Sequence, residues 1–407
     1  MVLQRASRTR ASSRLAASIL VACTIGFSPP GVGRARADPF GFQPRANAAS
    51  RALVLAVQQG ISSLPPTSGQ SFVYEFEPTL GAPVRSERLG PVSLRAPETI
   101  ERGTIGVRTA ISYFAVSSVF GPIDYRFQSE GGTSFARIGT GLDTKVGLAD
   151  LTLSYGITRR VEANLTLPLV LVDAHASQIL SVEPDPGDDV FIGFGDTVGQ
   201  LDDKIANGDV VLRSYSFPDL GFDFDDGAQL GVGRISVGTK ALVHADDPFR
   251  LAVACDFYFP SPDEDQFAGS SSASILPRVI GSVKVADWMR LLADVGYDYD
   301  FDVRQLRRLV WDAGISFPLK AVTLDLGVGG STYATPIEWT PRRVESRDYV
   351  ITALGDNEVG TNSVDVLAGA RVRLSDTFVL SGAVNVPVVD TGAQPTVAGT
   401  LALEAYF

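Results

Sequence analysis

Polar and apolar residues alternate with period two from residue 151 to 171, LTLSYGITRRVEANLTLPLVL. Leu151, Leu153, Tyr155 and Ile157 share one parity, with Thr152, Ser154 and Gly156 on the other. After Thr158 and Arg159 the alternation restarts: Val161, Ala163, Leu165, Leu167, Leu169 and Leu171 stand against Glu162, Asn164, Thr166 and Pro168. A period of two puts successive side chains on opposite faces of a strand, so this stretch predicts a hairpin. Each arm approaches the roughly 9–11 residues that a tilted strand needs to cross a bilayer.

The same pattern recurs along the chain. It predicts a strand beginning near Ile105, then strands near 235–243, 251–259, 275–285, 289–299, 309–317, 322–328, 364–372, 378–388 and 397–407, twelve in all with the hairpin. Loop length sorts by parity. Connections after even strands are short, such as Thr158-Arg159 and Ser375-Asp376-Thr377, whereas most after odd strands are long: 114–145, 172–232, 260–274 and 332–362. An outer-membrane barrel has short periplasmic turns and long outer loops, whereas a secreted sandwich gives no reason for such sorting. The expected fold is therefore all-β, a single-chain antiparallel transmembrane barrel of about twelve strands. The last strand ends on Phe407 and resembles the C-terminal strand by which the barrel-assembly machinery selects its substrates.

Three regions follow. Residues 1–37 read as a signal peptide, with four arginines before an apolar run and Ala35-Arg36-Ala37 at the cut; Cys23 in Leu20-Val21-Ala22-Cys23 offers a competing lipoprotein cut. Residues 38–101 read as a periplasmic preamble with a short helix at 48–59, capped by Asn47 and forming either a lid or a plug in the lumen. Residues 102–407 form the barrel, placed in the bacterial outer membrane and bounded by its lipid.

Charge then narrows the chemistry. The chain has 407 residues and a net charge of −11. Loss of the basic leader makes it more acidic, which argues against nucleic acid, whose phosphates demand a basic face. There are two histidines, His175 and His244, too few for a histidine metal cluster, and no Gly-x-Ser-x-Gly elbow. Acidic runs near Asp185, Asp223 and Asp263 read as solvated loops, since Arg234 stands where a calcium loop needs its bidentate glutamate. No catalytic residue, cofactor or metal is expected. Cys255 shares the apolar parity of its strand.

The remaining charges fall on the parity opposite the apolar one: Arg108, Glu162, Lys240, Asp256, Arg290, Asp294, Asp298, Arg308, Asp312, Asp325, Asp365, Arg371, Arg373 and Glu404. A charge facing lipid at mid-membrane costs about 2–4 kcal/mol for Arg or Lys, so these are candidates for lining the lumen. They serve either as ion pairs that hold the wall or as a conduit whose charge pattern selects solutes.

Residues 150–170, 251–270 and 381–407, with the preamble YEFEPTLGAPVRSERLGP at 74–91, resemble transporter barrels grouped as the meta-pathway phenol-degradation family of outer-membrane proteins. The resemblance implies a pore or uptake role and assigns no residues. The expected function is a porin-like barrel that passes a small solute. The alternatives are a non-conducting barrel whose long acidic loops form a binding or structural surface, and an exported soluble β protein.

Overall fold

The computed structural model describes residues 72–77, 82–129, 132–183, 211–216, 227–261, 270, 272–335, 337–338, 343–345, 349–354, 358–359, 362–389 and 397–407, together with Val57, Ile61 and Leu64. All lie in one compact unit, Phe40–Phe407. The expected leader and most of the expected helix fall outside the described residues, as do the acidic runs at Asp185, Asp223 and Asp263.

A small hairpin, β1 (Phe72–Glu77) and β2 (Ala82–Leu89), precedes the barrel. Twelve antiparallel strands then close on themselves. They are β3 (Ile105–Ser129), β4 (Gly132–Gly156), β5 (Val161–Glu183), β8 (Ser236–His244), β9 (Phe249–Tyr258) and β10 (Ser274–Ala286), then β11 (Met289–Asp300), β12 (Arg308–Pro318), β13 (Val322–Tyr333), β18 (Asn362–Arg373), β19 (Phe378–Pro387) and β20 (Ala398–Tyr406). Closure joins β20 to β3, with Leu401 opposite Ile111. A closed barrel leaves no open edge, as spanning a bilayer requires.

The long connections depart from the expectation of plain loops. β3 and β4 are 25 residues each and stay paired from Ile105↔Tyr155 to Ser129↔Gly132, while β20 pairs with β3 only up to Phe114. The hairpin therefore rises past the rim on one side. β6 (Val211–Ser216) pairs with the upper part of β5, and β15 (Arg343–Glu345) and β16 (Tyr349–Leu354) extend the sheet along β3. The two-residue strands β14 (Ile337–Glu338) and β17 (Glu358–Val359) pair separately. Alternation is selected only where one face meets lipid; above the rim that constraint lapses, and these strands leave no periodic signal.

Pro168 has a local effect. It has no N–H to give the ladder, and here the partner edge of β5 is divided: β8 pairs with residues 161–166, whereas β7 (Gly227–Val232) pairs with residues 169–174. Gly233 bridges the gap by donating to the Pro168 carbonyl at 3.0 Å.

Ile111, Leu326 and Leu401 are 64%, 56% and 58% exposed on the outer face, while the alternate positions are buried. Aromatics ring both ends of this apolar band. Tyr155, Phe249, Trp288, Phe378 and Phe407 lie at the short-turn end, and Tyr113, Phe259, Tyr297, Tyr299 and Phe301 lie toward the long connections. An exposed aliphatic band between aromatic girdles matches a bilayer and would be an aggregation liability in water. The outer face is that of a membrane-spanning β-barrel. Among the described residues no helix is long and apolar enough to cross a membrane.

Candidate lumenal site

Between β2 and β3 the chain runs through the barrel interior. Gly103, at φ 81°, makes the turn out of it, and its N–H donates to the Gly156 carbonyl at 2.8 Å. Residues 90–100 form no regular structure, yet Val92, Leu94, Ala96, Glu98, Thr99 and Ile100 are buried. A buried coil needs partners for its peptide groups. Side chains of the barrel wall supply them.

Thr323 donates to the Leu89 carbonyl at 2.7 Å, and Arg371 Nη1 donates to the carbonyls of Pro91 at 2.7 Å and Gly90 at 3.1 Å. The Asp325 carboxylate accepts the Val92 N–H and, at 3.3 Å, the Ser93 N–H. Lys240 donates to the Ala96 carbonyl at 3.1 Å and pairs with Glu162 at 3.0 Å. Glu162 in turn accepts the Ile100 N–H at 2.8 Å. Glu98 is gripped by two guanidiniums, Arg250 Nη1 at 2.8 Å and Arg290 Nη1 at 2.6 Å. These wall residues sit near the short turns, so the segment forms a floor at that end.

Beside the floor, Phe72 packs with Leu89, Ile100, Val379 and Tyr406, its ring edge-on to Tyr406 at 5.3 Å. The Tyr406 hydroxyl donates to Glu404 at 3.1 Å, and Arg371 Nη2 donates to the same carboxylate at 2.9 Å; Arg108 Nε stands 3.9 Å from it. Arg373 lies over the Phe72 ring at 5.5 Å.

Above the floor lies a cavity of about 240 Å³. Its apolar lining includes Leu148, Val170, Leu276, Val310, Trp311 and Leu367, with Ile61 and Leu64 of the preamble. Its polar lining groups four arginines, Arg95, Arg234, Arg278 and Arg308, with Asp298 and Asp312 and, elsewhere on the wall, Asp150 and Asp365. Arg278 donates to Asp294 at 2.6 Å and Arg95 pairs with it at 3.3 Å, so one carboxylate holds a guanidinium from the wall and one from the floor. Arg308 pairs with Asp298 at 3.3 Å and lies over the Tyr333 ring; Arg234 donates to Ser274 at 2.7 Å and lies over Tyr258. Within this wall Arg234 Nε, Arg278 Nε, Asp298 Oδ1 and Asp312 Oδ1 are buried with no hydrogen-bond partner among the described residues. An amphipathic cavity with a few convergent polar groups is the usual form of a small-molecule site.

All fourteen charges picked out by parity lie on strands of the closed barrel, and the structure divides them. Glu162, Lys240, Arg290, Asp325 and Arg371 contact the inner segment, and Arg108 and Glu404 join Arg371 beside it. Arg373 reaches Phe72 instead. Asp298, Arg308, Asp312 and Asp365 border the cavity, and Asp294 lies behind Arg95 and Arg278. Asp256 is half-buried against Gly238. Sequence reasoning missed Arg95 and Glu98 because a coil has no parity to read. It also missed Asp150, Arg250 and Arg278, although Asp150 shares the parity of Thr152 and was legible.

His244 is exposed at a turn against Phe249, away from the cavity, and the described residues contain no group of three or more His, Cys, Asp or Glu able to hold a metal. On the turn at Asp287, the hydrogen bond and charge of Lys284 hold the carboxyl below the usual carboxylate range.

No protein-family model matches the chain, and neither does any curated protein. Among solved structures it is similar to the COG4313 outer membrane channel from Pseudomonas putida F1, at 12% identity over 76% of this chain and 98% of that one, with a TM-score of 0.44. The NanC porin matches at 8% identity over 74% and 98%, TM-score 0.35. The toluene transporter TbuX from Ralstonia pickettii matches at 11% identity over 76% and 90%, TM-score 0.36.

Proposed function

We propose that this barrel is an outer-membrane channel for small solutes, and that the cavity above the floor is where a solute pauses. The supporting observation is the composition of that cavity: apolar residues such as Leu148, Val170, Leu276 and Val310 face a cluster of guanidinium and carboxylate groups in about 240 Å³. Such a lining suits a compact solute with an apolar body and one polar end. The short turns then lie in the periplasm and the raised β3–β4 hairpin outside. The final strand with Phe407 serves recognition by the barrel-assembly machinery.

The test is solute-driven swelling of liposomes containing the purified protein, comparing a pentose with benzoate. Faster entry of benzoate than of pentose, and loss of that preference in Arg278→Gln, is the expected result. Equal rates in both proteins remove the cavity from selectivity. The floor favours a second reading, a non-conducting barrel, for which neither solute enters at all.

A further inference from the structure

We propose that residues 90–101 are a releasable strap that shuts the short-turn end of the lumen, so that passage requires its withdrawal. The inference rests on the channel reading. Its independent support is the shape of the wall, which is cut to fit this segment.

Gly314 and Gly327 face each other across β12 and β13. A Cβ on Gly314 would lie 2.7 Å from Leu94 Cδ1, and one on Gly327 would lie 2.8 Å from Leu94 Cδ2. Both are closer than real side chains approach, so the paired glycines form a socket filled by the Leu94 side chain, which is 2% exposed. The fit recurs at two other strands. A Cβ on Gly369 of β18 would stand 3.1 Å from Val92 Cβ, and one on Gly156 of β4 would run into the Glu101 carbonyl. At Gly314 and Gly327 the backbone across the β12–β13 pair stands as close as Leu94, but at Gly156 and Gly369 the nearest atoms belong to the inner segment, and an open lumen would give no reason for glycine there.

The attachment is also of a releasable kind. The strap joins no strand ladder; its peptide groups are held by side chains from separate strands, and its charged anchors are Glu98 between Arg250 and Arg290 and Arg95 on Asp294. Withdrawal exposes four apolar side chains, Val92, Leu94, Ala96 and Ile100, and breaks polar contacts that water can replace. The barrel's own pairing stays intact. Ser93 and Arg95 of the strap line the cavity directly, so a solute there touches the part that must move.

The test uses full-length protein in a Cys255→Ser background with Ser93→Cys and Gly369→Cys. Ser93 Oγ lies 3.2 Å from the position a Cβ on Gly369 would take, within reach of a disulfide. Pentose-driven swelling is compared oxidised and reduced, beside Gly327→Leu, which fills the socket. Heat-modifiable migration shows that each form is folded. Maleimide labelling of the single Ser93→Cys variant reads strap release without reference to transport.

The expected result is at least tenfold slower swelling when oxidised, recovery on reduction, and faster swelling than wild type for Gly327→Leu. Equal swelling of the oxidised and reduced forms overturns the strap and leaves the channel standing. Labelling of Ser93→Cys that quickens in the Gly327→Leu background, with no swelling in any form, keeps the strap and overturns the channel. Neither labelling nor swelling in any folded form overturns both.

Discussion

At the short-turn end Arg371 donates to the backbone carbonyls of Gly90 and Pro91, whereas higher in the lumen Arg278 and Arg308 pair with Asp294 and Asp298 on neighbouring strands. The residue types are the same and the parity is the same. At the floor a stretch of chain fills the centre, and the wall charges become its solvent. Around the cavity the wall charges neutralise one another across neighbouring strands while leaving polar atoms turned to the cavity. An inward charge is therefore not by itself a sign of a conduit; what stands opposite it decides.

The largest expected effect is at the floor. Arg371→Met leaves Glu404 buried without its closest cation and two strap carbonyls without a donor, and a broken buried pair costs about 3–5 kcal/mol. A urea-unfolding midpoint in lipid should fall accordingly; a loss under about 1 kcal/mol would show that the floor network contributes little. On the lipid face, Leu326→Arg should cost about 2–4 kcal/mol by the same measurement. A negligible cost there would mean that β13 does not face the bilayer at that height.

The cavity wall should respond less. Arg278→Gln removes one charged hydrogen bond, worth about 1.5–3 kcal/mol, because Asp294 keeps Arg95. The contrast with Arg371→Met is the decisive comparison, and equal losses would erase the distinction between floor and cavity. Smaller again is Ser375→Ala, which takes from the turn an oxygen that accepts the Phe378 N–H at 3.0 Å and the Thr377 N–H at 3.2 Å. The loss should be about 0.5–1.5 kcal/mol. Cys255→Ser, on the outer parity of β9, should change stability by no more than about 0.5 kcal/mol, which makes it a suitable background for the disulfide test.

The twelve strands were legible because lipid on one face and a polar interior on the other impose a strict period of two on every crossing segment. The closure of β20 on β3 follows from an even strand count with nowhere else for the edges to go. Above the rim both faces of β3, β4 and β16 leave the bilayer, the period is no longer enforced, and the extensions read as loops. The floor was illegible for a different reason. Leu94 finds its place in a socket made by Gly314 and Gly327, and Glu98 finds Arg250 and Arg290, across separations of more than 150 residues. Contacts of that range leave no local periodicity. Sequence pattern alone therefore determines which residues face the lumen, but only the folded barrel decides that a coil occupies its base and that a cavity remains above it.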